Sequence, residues 1–189
     1  TPKEMVIKAR TALMRDQVGM ASILLPLEIV EDETKPTMAT DGRKIYYNPE
    51  FVKDLLSEAI QGVLFHEGCH VIFEHHLRIG KRNHKLWNIA CDYVINGYIV
   101  DVLKMSLPEG GLYEQQSTGK YSPEDGTQNT PPPSKYDNLP DSQGEIIMPK
   151  HDDGTEFSGE ELEEMASALR QDVVMGQQLE RSHGNGKGN

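Results

Sequence analysis

The sequence predicts an α+β fold, with a small mixed or antiparallel sheet packed on a central pair of apolar helices and a long loop-rich, acidic C-terminal segment. Three observations predict it. Two stretches near the middle, about 58–80 and 84–104, carry apolar residues round much of a helical circumference, as a buried pair would. Ahead of them lie three short β-type runs, two of which flank an Asp-Gly turn signal. Beyond residue 105, glycine, proline and small polar residues displace the apolar periodicity.

The elements follow in order. Met5, Ala9, Ala12, Leu13 and Val18 recur at helical spacing and predict an amphipathic helix to about Gly19. Leu24 to Val30 is short, apolar and closed by Glu31-Asp32-Glu33, which predicts a strand. Thr37 to Thr40 reads as a second strand, Asp41-Gly42 as a turn, and Lys44 to Asn48 as a third. Pro49 suits the first turn of a helix, where its missing N–H costs nothing. Ser57 is placed to cap the helix 58–80 and Asn83 the helix 84–104. Gly110-Gly111 and Pro131-Pro132-Pro133 mark a long loop over 106–153. Ser158 and Glu161 form an S-x-x-E capping box opening a last helix to about Leu179. The expected organisation is a core over 1–112, a loop over 113–157 that is partly disordered or covers the active site, and an acidic helix with a flexible tail over 158–189.

The net charge of −11 is unevenly spread. From Tyr121 onward 14 acidic side chains face 5 basic ones, whereas the first 120 residues hold 16 and 14. A nucleic-acid partner is therefore not expected, because phosphate neutralisation needs a basic patch. The acidic C-terminal segment is a possible surface for a protein partner. No apolar run approaches the roughly 20 residues that span a bilayer, so no membrane partner is expected. Neither is a signal peptide visible. Cys69 and Cys91 fall inside apolar helical patterns, read as buried free thiols of a cytoplasmic protein, with a bridge or thiolate ligand as the alternatives.

Chemistry concentrates in His66-Glu67-Gly68-Cys69-His70, an H-E-x-x-H match. Residues four apart share a helix face with Cβ atoms about 5–6 Å apart, suited to two imidazoles on one Zn²⁺. Glu67 lies one residue round the helix, where it can take a proton from a metal-bound water. Polar groups on an apolar helix are costly unless satisfied, and a metal would satisfy them. One Zn²⁺ per chain is the expected cofactor.

A catalytic zinc takes three protein ligands and keeps a fourth position for water. Two residues compete for the third. His76 stands at the metzincin distance, but Phe73 replaces the glycine that would fold the chain back, and a continuing helix would carry His76 about 15 Å from His66. Asp92, a carboxylate on the next apolar helix, is the better candidate. Asn96 one turn later, and Asn88 more weakly, can steady the ligands by hydrogen bonds. His75, His76 and His84 are expected at a solvated helix end, with His75 able to assist the site; Glu74 could orient His70 or carry an exposed charge.

Asp41 to Asn48 with Pro49, the H-E-x-x-H helix with its trailing His75-His76-Leu77-Arg78, Trp87 to Asn96, and Leu107 to Leu112 together resemble the N-terminal domain of the VWA-like putative metallopeptidases. The resembling stretch covers a little over a third of the chain. It implies a zincin-like α+β fold with His66, His70 and Asp92 as ligands, Glu67 as base, and a bacterial or phage source. On that analogy Lys44 to Asn48 is an edge strand above the helix, and an extended polypeptide substrate pairs with it at Tyr46, Tyr47 and Asn48. Tyr46, Tyr47, Tyr93 and Tyr98 stay open as oxyanion partners. The expected activity is zinc-dependent endopeptidase; the alternative is a catalytically silent, zinc-stabilised protein-binding module.

Overall fold

A computed structural model describes residues 1–113 and 144–184 of the chain. The expected first helix is two: α1 (Pro2–Asp16) and α2 (Val18–Leu24), separated at Gln17. Thr1 and Glu4 close a capping box at the start of α1, and Val6, Ala9 and Leu13 bury its inner face. Because α2 runs to Leu24, the strand expected from there begins four residues later, as β1 (Glu28–Glu31). Next come β2 (Met38–Thr40), β3 (Lys44–Tyr47) and α3 (Pro49–Val52), with Pro49 in its first turn and Asn48 as its cap.

The central helix, α4 (Ser57–Ile72), begins on Ser57 itself, with Leu56 at the cap position and no side-chain cap. It stops eight residues short of the expected end. Glu74 takes a left-handed conformation, φ 54°, and the chain turns into α5 (His75–Arg78). The second long helix, α6 (His84–Gly97), is capped by Asn83 as expected and widens into a π-helical turn over Tyr98–Val102.

Two further elements follow among the described residues. Strand β4 (Gly144–Ile146) lies in the stretch read as loop, and α7 (Gly159–Gly184) is opened by the Ser158–Glu161 box. Residues 114–143, including the triple proline, lie outside the described residues.

The sheet has the order β1-β3-β2-β4, mixed in sense: β1 and β3 are parallel, β2 and β3 antiparallel, β2 and β4 parallel. This corrects the expectation for β3. It is an inner strand with both edges paired, so no extended peptide can add to it at Tyr46, Tyr47 or Asn48. Their side chains have structural partners. The Tyr46 hydroxyl donates to Asp41 Oδ2 at 3.0 Å, and the buried Tyr47 hydroxyl to Glu31 Oε2 at 2.7 Å. Asn48 accepts from Glu50 N and donates to Lys35 O.

Helix α4 is enclosed by α1, α2, α6, α7 and the β2–β4 side of the sheet. Ile60, Val63, Leu64, Phe65, Cys69 and Val71 are buried on several of its faces. Both cysteines are buried and free, and burial with the charge of Glu67 pushes the Cys69 thiol pKa up, leaving it protonated. Among the described residues no helix is long and apolar enough to cross a membrane.

α7 crosses α2 closely at two glycines. A Cβ built on Gly176 would fall 2.4 Å from the Gly19 carbonyl oxygen, on backbone that cannot step aside. Alanine would gain about 1 kcal/mol of helix propensity, but steric overpacking costs about 1–3 kcal/mol. Gly176→Ala is therefore expected to lower the urea midpoint of unfolding, and an unchanged or raised midpoint would show that α7 does not pack here.

Candidate metal centre

His66 and His70 lie one turn apart on α4, and α6 crosses so that Asp92 meets them. Their donor atoms lie within 4.8 Å of one another. The two Nε2 atoms are 2.8 Å apart, and Asp92 Oδ1 stands 3.3 Å from that of His66 and 3.2 Å from that of His70. All three side chains are inside the protein, at 3%, 0% and 1% exposure, and Glu67 is at 0%.

Each donor is oriented from behind. His66 Nδ1 lies 2.7 Å from Asn96 Oδ1; since that oxygen can only accept, Nδ1 carries the proton and Nε2 is turned to the cluster. The Asn96 amide donates in turn to Leu112 O at 2.9 Å. His70 Nδ1 is 3.0 Å from His75 Nδ1, whose imidazole therefore sets which nitrogen of His70 faces the cluster. Asn88 donates at 3.5 Å to Asp92 Oδ2 and accepts from the Ile146 N–H of β4 at 2.9 Å. Asp92 Oδ1 makes no hydrogen bond among the described residues, although both imidazoles are near it.

Three buried donors converge on one point, two nitrogens and one carboxylate oxygen, with the back of each held. That donor set fits a divalent ion such as zinc. The three groups also shift one another's protonation. Burial opposes charging His66, but the Asp92 carboxylate beside it outweighs this and raises its pKa. Burial lowers His70 to about 4. Burial also opposes charging Asp92, but the His66 and His70 imidazoles beside it prevail and hold its pKa down.

Of the expected site residues, the fold brings together His66, His70, Asp92, Asn96 and Asn88, and sets Glu67 close enough for its charge to raise the pKa of His66. The expectation for His75 and His76 as residues of a solvated end is corrected, since α4 ends before them and they are buried at 1% and 0%. His75 stands behind His70, its carbonyl accepting from the indole of the fully buried Trp87 at 2.9 Å. The sequence signal for this was Trp87, a large donor that needs a partner when buried. His76 packs under the β2–β3 turn. Gly42 there has φ 84°, and a Cβ on it would fall 2.3 Å from His76 Nε2, so only glycine fits. Asp41 builds that turn by accepting from the backbone N–H groups of Arg43 and Lys44.

A family described as "Putative metallopeptidase domain" matches residues 2–187. The chain belongs to that family. An "Uncharacterized protein" of Thermotoga maritima is 29% identical over 104 residues, which is 51% of this chain and 26% of that protein. The chain thus matches about a quarter of that relative's length. No solved structure matches.

His76 carries a pH prediction. Burial lowers its pKa from 6.5 to about 4, partly opposed by the Asp41 charge. Between those values the unfolded chain binds the proton and the folded chain does not, so stability falls as pH drops through the window, by up to about 3 kcal/mol. In metal-free protein, His76→Gln should flatten the decline in unfolding free energy between pH 7 and 4.5. Equal declines in both proteins would refute the assignment.

Proposed function

We propose that the domain hydrolyses internal peptide bonds with one Zn²⁺ per chain, held by His66, His70 and Asp92, and with Glu67 as general base. The observation that carries this reading is the three-donor cluster, whose two imidazoles are held from behind on Nδ1 and whose carboxylate oxygen Oδ1 lacks a hydrogen bond. Three protein ligands leave a fourth position for water, as in catalytic rather than structural zinc sites.

Zinc in such a site lowers the pKa of water and polarises the scissile carbonyl. The chain's own groups do the rest. Asn96, His75 and Asn88 keep the ligands in one tautomer and orientation, so no reorganisation accompanies reaction. Glu67, carried on the same rigid helix, accepts the proton of the attacking water and returns it to the leaving amine. Water is excluded by the apolar packing of α4, which strengthens each of these charges. A zincin-like arrangement is part of the proposal: the helix bearing the motif lies against the β2–β4 side of the sheet, with Asp92 supplied by the next long helix. With β3 enclosed, this reading no longer gives Tyr46, Tyr47 and Asn48 a role in binding substrate.

One observation favours a second reading. The four central side chains are at most 3% exposed, so a substrate must displace something to reach them. A silent zinc-stabilised module would look this way and would never open.

Metal analysis and peptidase assay on wild type and Glu67→Gln separate the two. About one zinc in each, with activity on an unfolded protein substrate reduced roughly 10²–10⁴-fold only in the variant, is expected for the peptidase. Zinc in both with no activity in either would favour the silent module. Absence of zinc from both would remove the site.

A further inference from the structure

The turn between α4 and α5 sets His75 behind His70, and its conformation is costly. Glu74 sits at φ 54°, a region that a non-glycine residue occupies only when its surroundings over-determine it. Three contacts do so. Arg78 Nη1 donates to Phe73 O at 2.7 Å, and Trp87 Nε1 donates to His75 O at 2.9 Å. The third comes from 96 residues further along the chain: Arg170 of α7 grips the Glu74 carboxylate with Nε–Oε1 at 2.8 Å and Nη2–Oε2 at 3.0 Å. This two-pronged geometry fixes direction as well as distance.

α7 is held in place by other contacts. Leu169 and Ala166 are buried, Ser22 Oγ donates to Asp172 O at 2.8 Å, and Gly176 lies on Gly19. The Arg170 side chain is 57% exposed and that of Glu74 16%, so solvent still reaches the pair and limits what it adds to global stability. Its fork is therefore better placed to fix the turn than to hold the fold together.

We propose that Arg170 and Glu74 are positioning residues of the metal centre, through which α7 holds the turn that sets His75 against His70. The inference rests on the zinc-site reading above, and it makes the acidic C-terminal helix part of the centre rather than an appendage.

The test is zinc affinity of the full chain, by competition with a chromophoric chelator, together with the visible spectrum of the Co²⁺-loaded protein and the thermal midpoint of the metal-free protein. The variants are Arg170→Met, Glu74→Gly and the double. Glycine accepts φ 54° without strain, so Glu74→Gly removes the carboxylate and spares the turn. Each single variant is expected to bind zinc about tenfold more weakly, at the low end of the loss typical when a ligand's supporting partner is removed. The double should be no worse than either single, the Co²⁺ bands should shift, and the metal-free midpoint should not fall below the wild-type value. Affinities within twofold of wild type would overturn the inference while leaving the zinc site intact. So would a loss in Arg170→Met alone, or losses matched by a lower metal-free midpoint with unshifted Co²⁺ bands. Wild type that takes up neither metal would fail at the earlier step and overturn both readings.

Discussion

Two imidazoles and a carboxylate have been drawn out of water into the apolar centre of the domain, where their donor atoms crowd within 4.8 Å. Burying a polar group without a partner costs several kcal/mol, and burying a charge costs more. The surrounding architecture answers that cost. α4 and α6 must cross at the one place where His66, His70 and Asp92 can share a centre, and everything behind them must be a hydrogen-bond partner of the right kind. Asn96 accepts from His66 with one end of its amide and grips the Leu112 carbonyl with the other. Asn88 does the same between Asp92 and the Ile146 N–H of β4. Each amide thus joins a donor of the centre to a separate piece of backbone.

This coupling explains the position of the sheet. β4 follows β2 in the sheet although more than a hundred residues separate them in sequence, and its outward N–H ends on Asn88. The β2–β3 turn presses Gly42 onto His76 from the same side. α7 reaches the centre from the other direction through Glu74. Strand, turn and helix, far apart in sequence, all end on residues next to the three donors. A centre built this way loses geometry when any one of them moves, even if the ligands themselves are untouched.

Much of this was legible in the sequence because its signals are local. H-E-x-x-H places two imidazoles on one helix face by spacing alone, and Asp92, Asn96 and Asn88 stand out as polar residues on an apolar helix. The Asn83 cap, the Pro49 start, the Ser158–Glu161 box and the Asp41-Gly42 turn are likewise local, and the fold has them there. What stayed hidden depends on distant contacts. The end of α4 at Ile72 rests on a left-handed glutamate, which no propensity would select; it is held by Arg170, Arg78 and Trp87. Reading the helix as continuous to residue 80 therefore sent His75 and His76 out to solvent. In the same way, β4 is three residues beginning with glycine, too short for an alternation pattern, and the parallel pairing of β1 with β3 passes over β2 in sequence, so β3 looked like an edge.

The failure at Glu74 and the success at H-E-x-x-H have one origin. A helix of continuous apolar character could run past His70 and keep its backbone hydrogen bonds, but His70 would then lack a partner on Nδ1. Ending the helix at Ile72 and bending it through an unfavourable backbone angle brings an imidazole back onto that nitrogen. The bend costs of order 1–3 kcal/mol. An unsatisfied buried nitrogen costs a comparable 1–3 kcal/mol, so stability alone does not decide between the two arrangements. The bent one differs in setting an imidazole against His70 Nδ1, which fixes the ring with its Nε2 toward Asp92 and His66, as the straight helix could not do. Under the proposed function, local strain next to the three donors fits a group of side chains able to hold an ion better than a helix shaped only for packing.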